Sequence, residues 1–392
     1  MPFLLHKAGV PVATIATVGA MALLPSAYKI FWAPVLDLGI RRRTWLMLAA
    51  GVSAVCFTSS LLLQLPQQLT LFEILLVAGN VMAGLVASCN GGLVCTTVDP
   101  AKRGQAAGFV NAANLGGAAL GGGLVLTLAN TVSLQAAAIA LAGTIALPAF
   151  AALAIEELPA KRDALLPHLR AMASEIWKVV RSRPGWTSLV LCISPVGTVA
   201  LTNLFSALGA DYHASGQTVE LVNGYAGGFV TATGALASGY ILDRIDRRKM
   251  YLLSGLLTAA CCILMSLAPH TPLTYTVGCL SYLLIAGLAY ASFSAVAYEA
   301  IGVAGKSAAT LYTIFPAAGN QAIAYTLFLD GRMHESGGIN GCLWTDASLN
   351  VGGVLALLVV FNFLYRRKSD RTVFSHLPPS QMRARRRLVS KQ

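Results

Sequence analysis

The chain has 392 residues, of which 56% are hydrophobic, only 11% are charged and 37 are glycine, with a formal net charge of +12. Soluble domains carry about 25% charged residues, so this composition excludes an ordinary cytosolic enzyme, a disordered chain and a disulfide scaffold. It points to an all-α, polytopic membrane protein whose solvent is largely lipid.

A hydrocarbon core about 30 Å thick takes about 20 apolar residues of helix to cross. The runs that qualify, in chain order, are 11–36, 45–64, 70–94, 105–127, 132–154, 186–209, 221–242, 251–268, 273–296, 308–330 and 346–365, which makes eleven predicted spans. Glycine and proline inside them do not argue against helix, because both are frequent in membrane helices. Seven of the eight cysteines lie in or beside these runs, and Cys342 falls in a polar connection. No Cys/His spacing resembles a metal or haem site, so neither metal nor cofactor is expected. Trp32, Trp45, Trp177, Trp186 and Trp344 sit near span ends, as an interfacial belt does.

Lys and Arg set the orientation. Alternate connections carry Arg41, Arg42 and Arg43, then Lys102 and Arg103, then the 155–185 segment, then Arg244, Arg247, Arg248 and Lys249, then Lys306, and finally the C-terminal tail; together these hold 25 of the 28 basic residues. By the positive-inside rule this set is cytoplasmic, which puts the C-terminus in the cytoplasm and the chain in an inner (plasma) membrane. Basic charge spread over every inner loop argues against a nucleic-acid partner. The tail 366–392 has nine basic residues against one acid, Asp370. It either contacts anionic headgroups or only fixes topology.

An internal repeat organises the chain. Asp37 follows the first span and precedes Arg41-Arg42-Arg43; Asp243 follows the seventh and precedes Arg247-Arg248-Lys249, at an offset of 206 residues. The division expected is an N-terminal bundle 1–154 with five spans, an amphipathic linker 155–185, a C-terminal bundle 186–365 with six spans, and the basic tail. In the linker Leu165, Leu169, Met172, Ile176 and Val180 recur at helical spacing. In this register the partner of span 186–209 would lie upstream of Met1, so the sequence reads as a twelve-span plan lacking its first helix. A native eleven-span chain is the alternative.

Two helical halves, a central basic loop and an Asp-plus-basic motif in each half resemble the major facilitator superfamily. The closer copy is Asp243-Arg244-Ile-Asp246-Arg247-Arg248; the first has Leu38 where the second has Arg244. The string Leu24-Pro25…Lys29…Trp32-Ala33-Pro34…Asp37, with Asp99-Pro-Ala-Lys-Arg103-Gly104, is similar to the branch holding AmpG-type muropeptide permeases, acetyl-CoA transporters and siderophore-uptake permeases. The resemblance implies a monomeric secondary transporter and no enzyme activity. It would import a small solute, muropeptide-like or siderophore-like, with protons. It also implies that Asp37, Arg41, Arg42, Asp99, Arg103, Asp243, Arg244, Arg247 and Arg248 form contacts made in one gating state and broken in the other.

Five further residues are candidates for substrate or coupling. Lys29 lies eight residues, about 12 Å of helix rise, from Asp37; it either lines a wet cavity or snorkels to the inner headgroups. Glu299 is a proton carrier or a loop carboxylate paired with Lys306. Asn111 and Asn114 share a helix face, and Asn320 lies at a related depth; such amides bind substrate or clamp helices. Gly117 and Gly121 form a small-xxx-small pair suited to close helix packing. Two rivals remain at this point, a degenerate sensor or scaffold and a membrane-embedded enzyme, though the six histidines all lie in loops or termini away from any nucleophile motif.

Overall fold

The computed structural model describes residues 28–37, 40–65, 67–157, 165–302 and 308–375, with Val18, Met21 and Pro25. Its helices are α1 (Arg42–Leu61), α2 (Leu69–Thr97), α3 (Arg103–Thr131), α4 (Leu134–Ala149), α5 (Leu165–Arg181), α6 (Arg183–Ile193), α7 (Gly216–Asn223), α8 (Tyr225–Leu242), α9 (Arg247–Leu267), α10 (Pro272–Ile301) and α11 (Ala308–Ser375), with a four-residue turn at Phe205–Leu208. Residues 1–17, Leu38, Lys161, Arg162, Lys306 and 376–392 lie outside the described residues, as do the side chains of Leu165, Leu169 and Met172 and those beyond Phe361.

Helix starts coincide with short polar side chains that accept from the open amides of the first turn. Ser133 accepts from Ala136 N before α4, Ser215 from Thr218 N before α7, and Asp246 from both Arg248 N and Lys249 N before α9. Thr271 caps α10, with Pro272 in the first turn, where no amide partner is lost.

Among the described residues seven helices are long and apolar enough to cross a membrane: Arg42–Leu61, Leu69–Thr97, Pro100–Thr131, Leu134–Ala154, Arg247–Leu267, Pro272–Ile301 and Ala308–Phe361. This corrects the expectation of eleven, and each difference has a cause. Most of run 11–36 lies outside the described residues. Run 186–209 is broken at Pro195: Gly197 has φ 61° and Val199 φ 47°, and only short turns follow. Run 221–242 divides at Gly224 into α7 and α8. Runs 308–330 and 346–365 fall in one continuous helical stretch and count once, as Ala308–Phe361, although the chain reverses between them at Gly338, where φ is 60°. Cys342, read as part of a polar loop, is therefore fully buried in a helical core.

The break at Pro195 is internally satisfied. Gly197 N–H donates to Asn350 Oδ1 (2.9 Å), and Tyr251 OH donates to the Val196 carbonyl (2.6 Å). Freed backbone groups at membrane depth need such partners, since hydrocarbon supplies none.

Two packing groups follow chain order. Helices α1 to α4 pack on one another, as do α6 and α8 to α11, while α3 meets α8 and α2 meets α11 between the groups. One apolar core near the arginine-bearing ends joins both: Val94, Cys95 and Ala107 with Leu242, Tyr298, Leu311 and Phe315. A second core lies within the later group alone, around Phe205, Tyr282, Cys262 and Cys342.

Candidate functional site

The basic end of the molecule is closed by two reciprocal helix caps. Asp37 ends a 3-10 turn, Ala33–Asp37, and its side chain is fully buried. Thr310 donates to its Oδ2 from both N–H (2.9 Å) and Oγ1 (2.7 Å), and Ala309 N–H donates to Oδ1 (3.4 Å). These are the opening amides of α11, 272 and 273 residues away along the chain. Asp243 does the same in reverse. Gly104 N–H donates to its Oδ1 (2.8 Å) and Gln105 N–H to its Oδ2 (3.2 Å), at the start of α3. An anion among unpaired amides at the positive end of a helix dipole is a favourable arrangement. Asp37 and Asp243, and likewise Gly104 and Thr310, are separated by 206 positions, so the repeat reappears as a pair of equivalent caps, each reaching into the other half.

Arginines surround both caps. Arg42 reaches Asp37 through Nε and Nη2, both at 2.9 Å, and Glu157 Oε1 at 3.8 Å. Glu157 also accepts from the Arg42 and Arg43 amides, capping α1. Arg41 occupies the N-cap position of α1. In the second copy Arg247 approaches Asp243 (3.9 Å) and Glu299 (3.8 Å) and donates to the Pro100 carbonyl (2.7 Å). Arg248 approaches Glu299 (3.7 Å), and Arg244 is exposed. Glu299 thus faces arginines, and its side chain is 44% exposed.

Asp99 and Arg103 separate. Asp99 caps the turn Pro100–Lys102, accepting from Ala101 N (2.9 Å). Arg103 is 3% exposed and donates to the carbonyls of Tyr298 (3.0 Å), Gly302 (2.9 Å) and Cys95 (2.7 Å). Its guanidinium therefore bolts the last carbonyls of α10 to the end of α2, a cation at a helix C-terminus. Gly302, at φ 65°, supplies the left-handed residue that turns one of those carbonyls toward it.

Glycine lets α3 and α8 touch beneath these caps. A Cβ on Gly108 would come within 2.8 Å of the Ala235 carbonyl oxygen, and one on Gly239 within 3.0 Å of Gly108 Cα. Gly117 and Gly121, singled out by spacing, face open space instead. Close approach of the two helices continues away from the basic end, where a Cβ on Gly116 would come within 3.0 Å of Ala232 Cβ and one on Gly228 would meet Ala119.

The interior candidates do not form one cluster. Asn111 is buried and bonds both the Ala107 carbonyl (2.8 Å) and Ser294 Oγ (2.9 Å), tying α3 to α10. Asn114, three residues on, is exposed, and Asn320 is half-buried without a hydrogen-bond partner among the described residues. Lys29 opens a 3-10 turn, Lys29–Phe31, packed near α2 and α11; it is half-buried and has no partner among the described residues.

Three acids escaped the sequence reading. Glu157 falls in the segment 155–185 read as the linker. Asp330 and Asp346 bound the segment taken for a connection, and both are fully buried. An acid at the edge of each of two facing apolar runs was the available signal.

A profile for the Major Facilitator Superfamily matches residues 1–324. The chain belongs to that superfamily. It is accordingly a multi-pass membrane protein, and its all-α, helix-paired architecture is that of the family. Among solved structures, it is similar to the human organic anion transporter MFSD10 (TETRAN), with TM-score 0.66 at 16% identity over 91% of this chain and 88% of that one. It is also similar to the proton:xylose symporter XylE bound to 6-bromo-6-deoxy-D-glucose, with TM-score 0.64 at 13% identity over 90% and 87%. The E. coli fucose:proton symporter FucP gives TM-score 0.59 at 13% identity over 88% and 95%. No curated protein sequence matches the chain. Among the described residues no group of His, Cys, Asp or Glu could hold a metal ion.

Proposed function

We propose that this superfamily member is a secondary active transporter. It carries a small solute by alternating access between a bundle at 1–154 and one at 186–365, and it is held here with its cytoplasmic face shut. The observation that carries this reading is the pair of reciprocal caps. Asp37 and Asp243 each bind amides that belong to the other half, so every one of those bonds breaks if the halves separate at that face. Interactions made in one state only are what bias a two-state equilibrium.

Proton-coupled uptake is the energetic mode we assign, and the two proton symporters among the structural neighbours are consistent with it. The Lys29…Asp37 string supports the branch resemblance, within which we assign a muropeptide-like or siderophore-like solute, and Lys29, without a side-chain partner among the described residues, suits an anionic group on it. Asn111, Asn114, Asn320 and Glu299 are assigned supporting roles along the path. The basic tail contacts anionic headgroups of an inner membrane from the cytoplasmic side, and a monomer is the working unit.

Reconstitution into proteoliposomes under an imposed pH gradient tests the reading. Anhydromuropeptide or ferric siderophore should accumulate on the side opposite the acid compartment, and Lys29→Ala should abolish accumulation while leaving insertion intact. Full uptake by Lys29→Ala would remove the assigned role of that residue. No gradient-driven uptake across the solute panel would remove the transporter reading.

A further inference from the structure

The turn at Gly338 folds α11 into a hairpin of two antiparallel arms at the end opposite the arginine clusters. Gly341 packs on the Met333 carbonyl, which sets the register of the arms. Asp330 and Asp346 each lie eight residues from the turn, so both sit at a similar depth, near enough for the charge of one to act on the other. At about 1.5 Å per residue that depth is about 12 Å inside the turn.

Both carboxyl groups are fully buried. Asp346 Oδ2 accepts from Tyr282 OH (3.2 Å) and faces Cys262 Sγ (3.3 Å). Its Oδ1 and both oxygens of Asp330 have no hydrogen-bond partner among the described residues. The titratable groups around them are Cys261 and Cys262 from α9, Tyr282 from α10, Cys342 from the second arm, and Asp211 from the segment after Phe205–Leu208. None of these is a cation, and among the described residues no Lys or Arg pairs with either acid. Two unpaired carboxyl groups within reach of each other's charge in a buried core favour taking up a cation, and the least costly one to place at their open oxygens is a proton.

The structure also provides a way in. His334 lies one helical turn from Asp330 toward the Gly338 end, at i and i+4, and therefore on the same face. Its Nε2 is 2.9 Å from Asp211 Oδ2, and both side chains are about one-third exposed.

We propose that Asp330, within reach of the charge of Asp346, carries a bound proton inside the second bundle, loaded from the far face through the His334–Asp211 pair. In the loading step an N–H bond of the protonated His334 breaks, an O–H bond forms on the ionised Asp330, and His334 is left neutral. Bulk solvent then reprotonates it. In the orientation assigned above, loading occurs from outside. Use of the bound proton to drive uptake rests on the transporter reading, but the existence of the site does not.

Infrared difference spectra of the reconstituted full chain test the site directly. At neutral pH the wild type should show the C=O stretch of a protonated carboxylic acid, and Asp330→Asn and Asp346→Asn should each remove or shift it. His334→Gln should keep the band and slow its response to H/D exchange. A wild type without the band, or a band unchanged in both aspartate variants, overturns the site. An unchanged exchange rate in His334→Gln overturns the loading route. Loss of the band when choline is replaced by sodium at constant pH would assign the pocket to that ion instead. Because wild-type spectra need no variant, a misfolded Asp346→Asn would still leave the test decided by the wild type and Asp330→Asn. Uptake separates the two readings: a band without any wild-type transport refutes the transporter reading alone. Undiminished gradient-driven uptake by Asp330→Asn refutes the coupling role.

Discussion

Replacing Asp243 by alanine should open the arginine-bearing face. The carboxylate accepts from two opening amides of α3 and faces Arg247, with its side chain 11% exposed. A hydrogen bond to a charged group is worth about 1.5–3 kcal/mol, and a charge at a helix end up to about 2 kcal/mol. The two descriptions overlap, so together they give about 2–3 kcal/mol. All of it is present with the halves together and absent with them apart. At about 1.4 kcal/mol per factor of ten, the ratio of closed to open should fall roughly 30- to 100-fold. Cys95 reports this, because it is 1% exposed in the apolar core shared by both halves. In inverted vesicles, with the other cysteines replaced, a membrane-impermeant maleimide should label Cys95 faster by a similar factor in Asp243→Ala. Cys279, buried in the core of the second half alone, is the control for general loosening. Equal acceleration at Cys279, or none at Cys95, would refute the idea that Asp243 closes a gate.

Three other substitutions read different parts of the same frame. Asn350→Leu leaves the Gly197 amide buried without an acceptor, which costs about 1–3 kcal/mol, and should lower the melting temperature in detergent; an unchanged value would mean the break at Pro195 needs no such support. Gly108→Leu puts a side chain where even a Cβ would crowd the Ala235 carbonyl, so it should raise Cys95 labelling without touching a charged residue. Arg103→Lys should not restore wild-type labelling or stability, because one ammonium on a flexible stem cannot replace a planar fork donating to three carbonyls. Wild-type behaviour in that variant would show that charge alone suffices there.

Much of the basic end was legible from residue types and spacing. Asp37 and Asp243 recur at one offset before basic triplets, and the offset becomes two equivalent caps in space. What each acid touches was not legible, because its partners, the amides at 309–310 and 104–105, are backbone groups that every sequence has. Asn111 read as ligand or clamp, with clamping the commoner use of such an amide, and its bond to Ser294 on another helix could not be read from spacing. The broken helix near Pro195 hid inside an apolar run, because membrane helices tolerate proline and glycine when side chains such as Asn350 and Tyr251 take over the freed backbone groups. Asp330 and Asp346 stand at the facing ends of the predicted runs 308–330 and 346–365, where a single acid does not stand out as buried. The turn at Gly338 brings both into the buried core at a similar depth.

The central claim is that the two halves separate and rejoin at the arginine-bearing face. Spin labels at Ala101→Cys and Arg244→Cys, both exposed and one on each side of the Asp243 cap, measure that separation by electron double resonance in lipid. The wild type should give a short-distance population, and Asp243→Ala should shift most of it to a longer distance. A single distance distribution, identical in both proteins and under any proton gradient, would contradict the account.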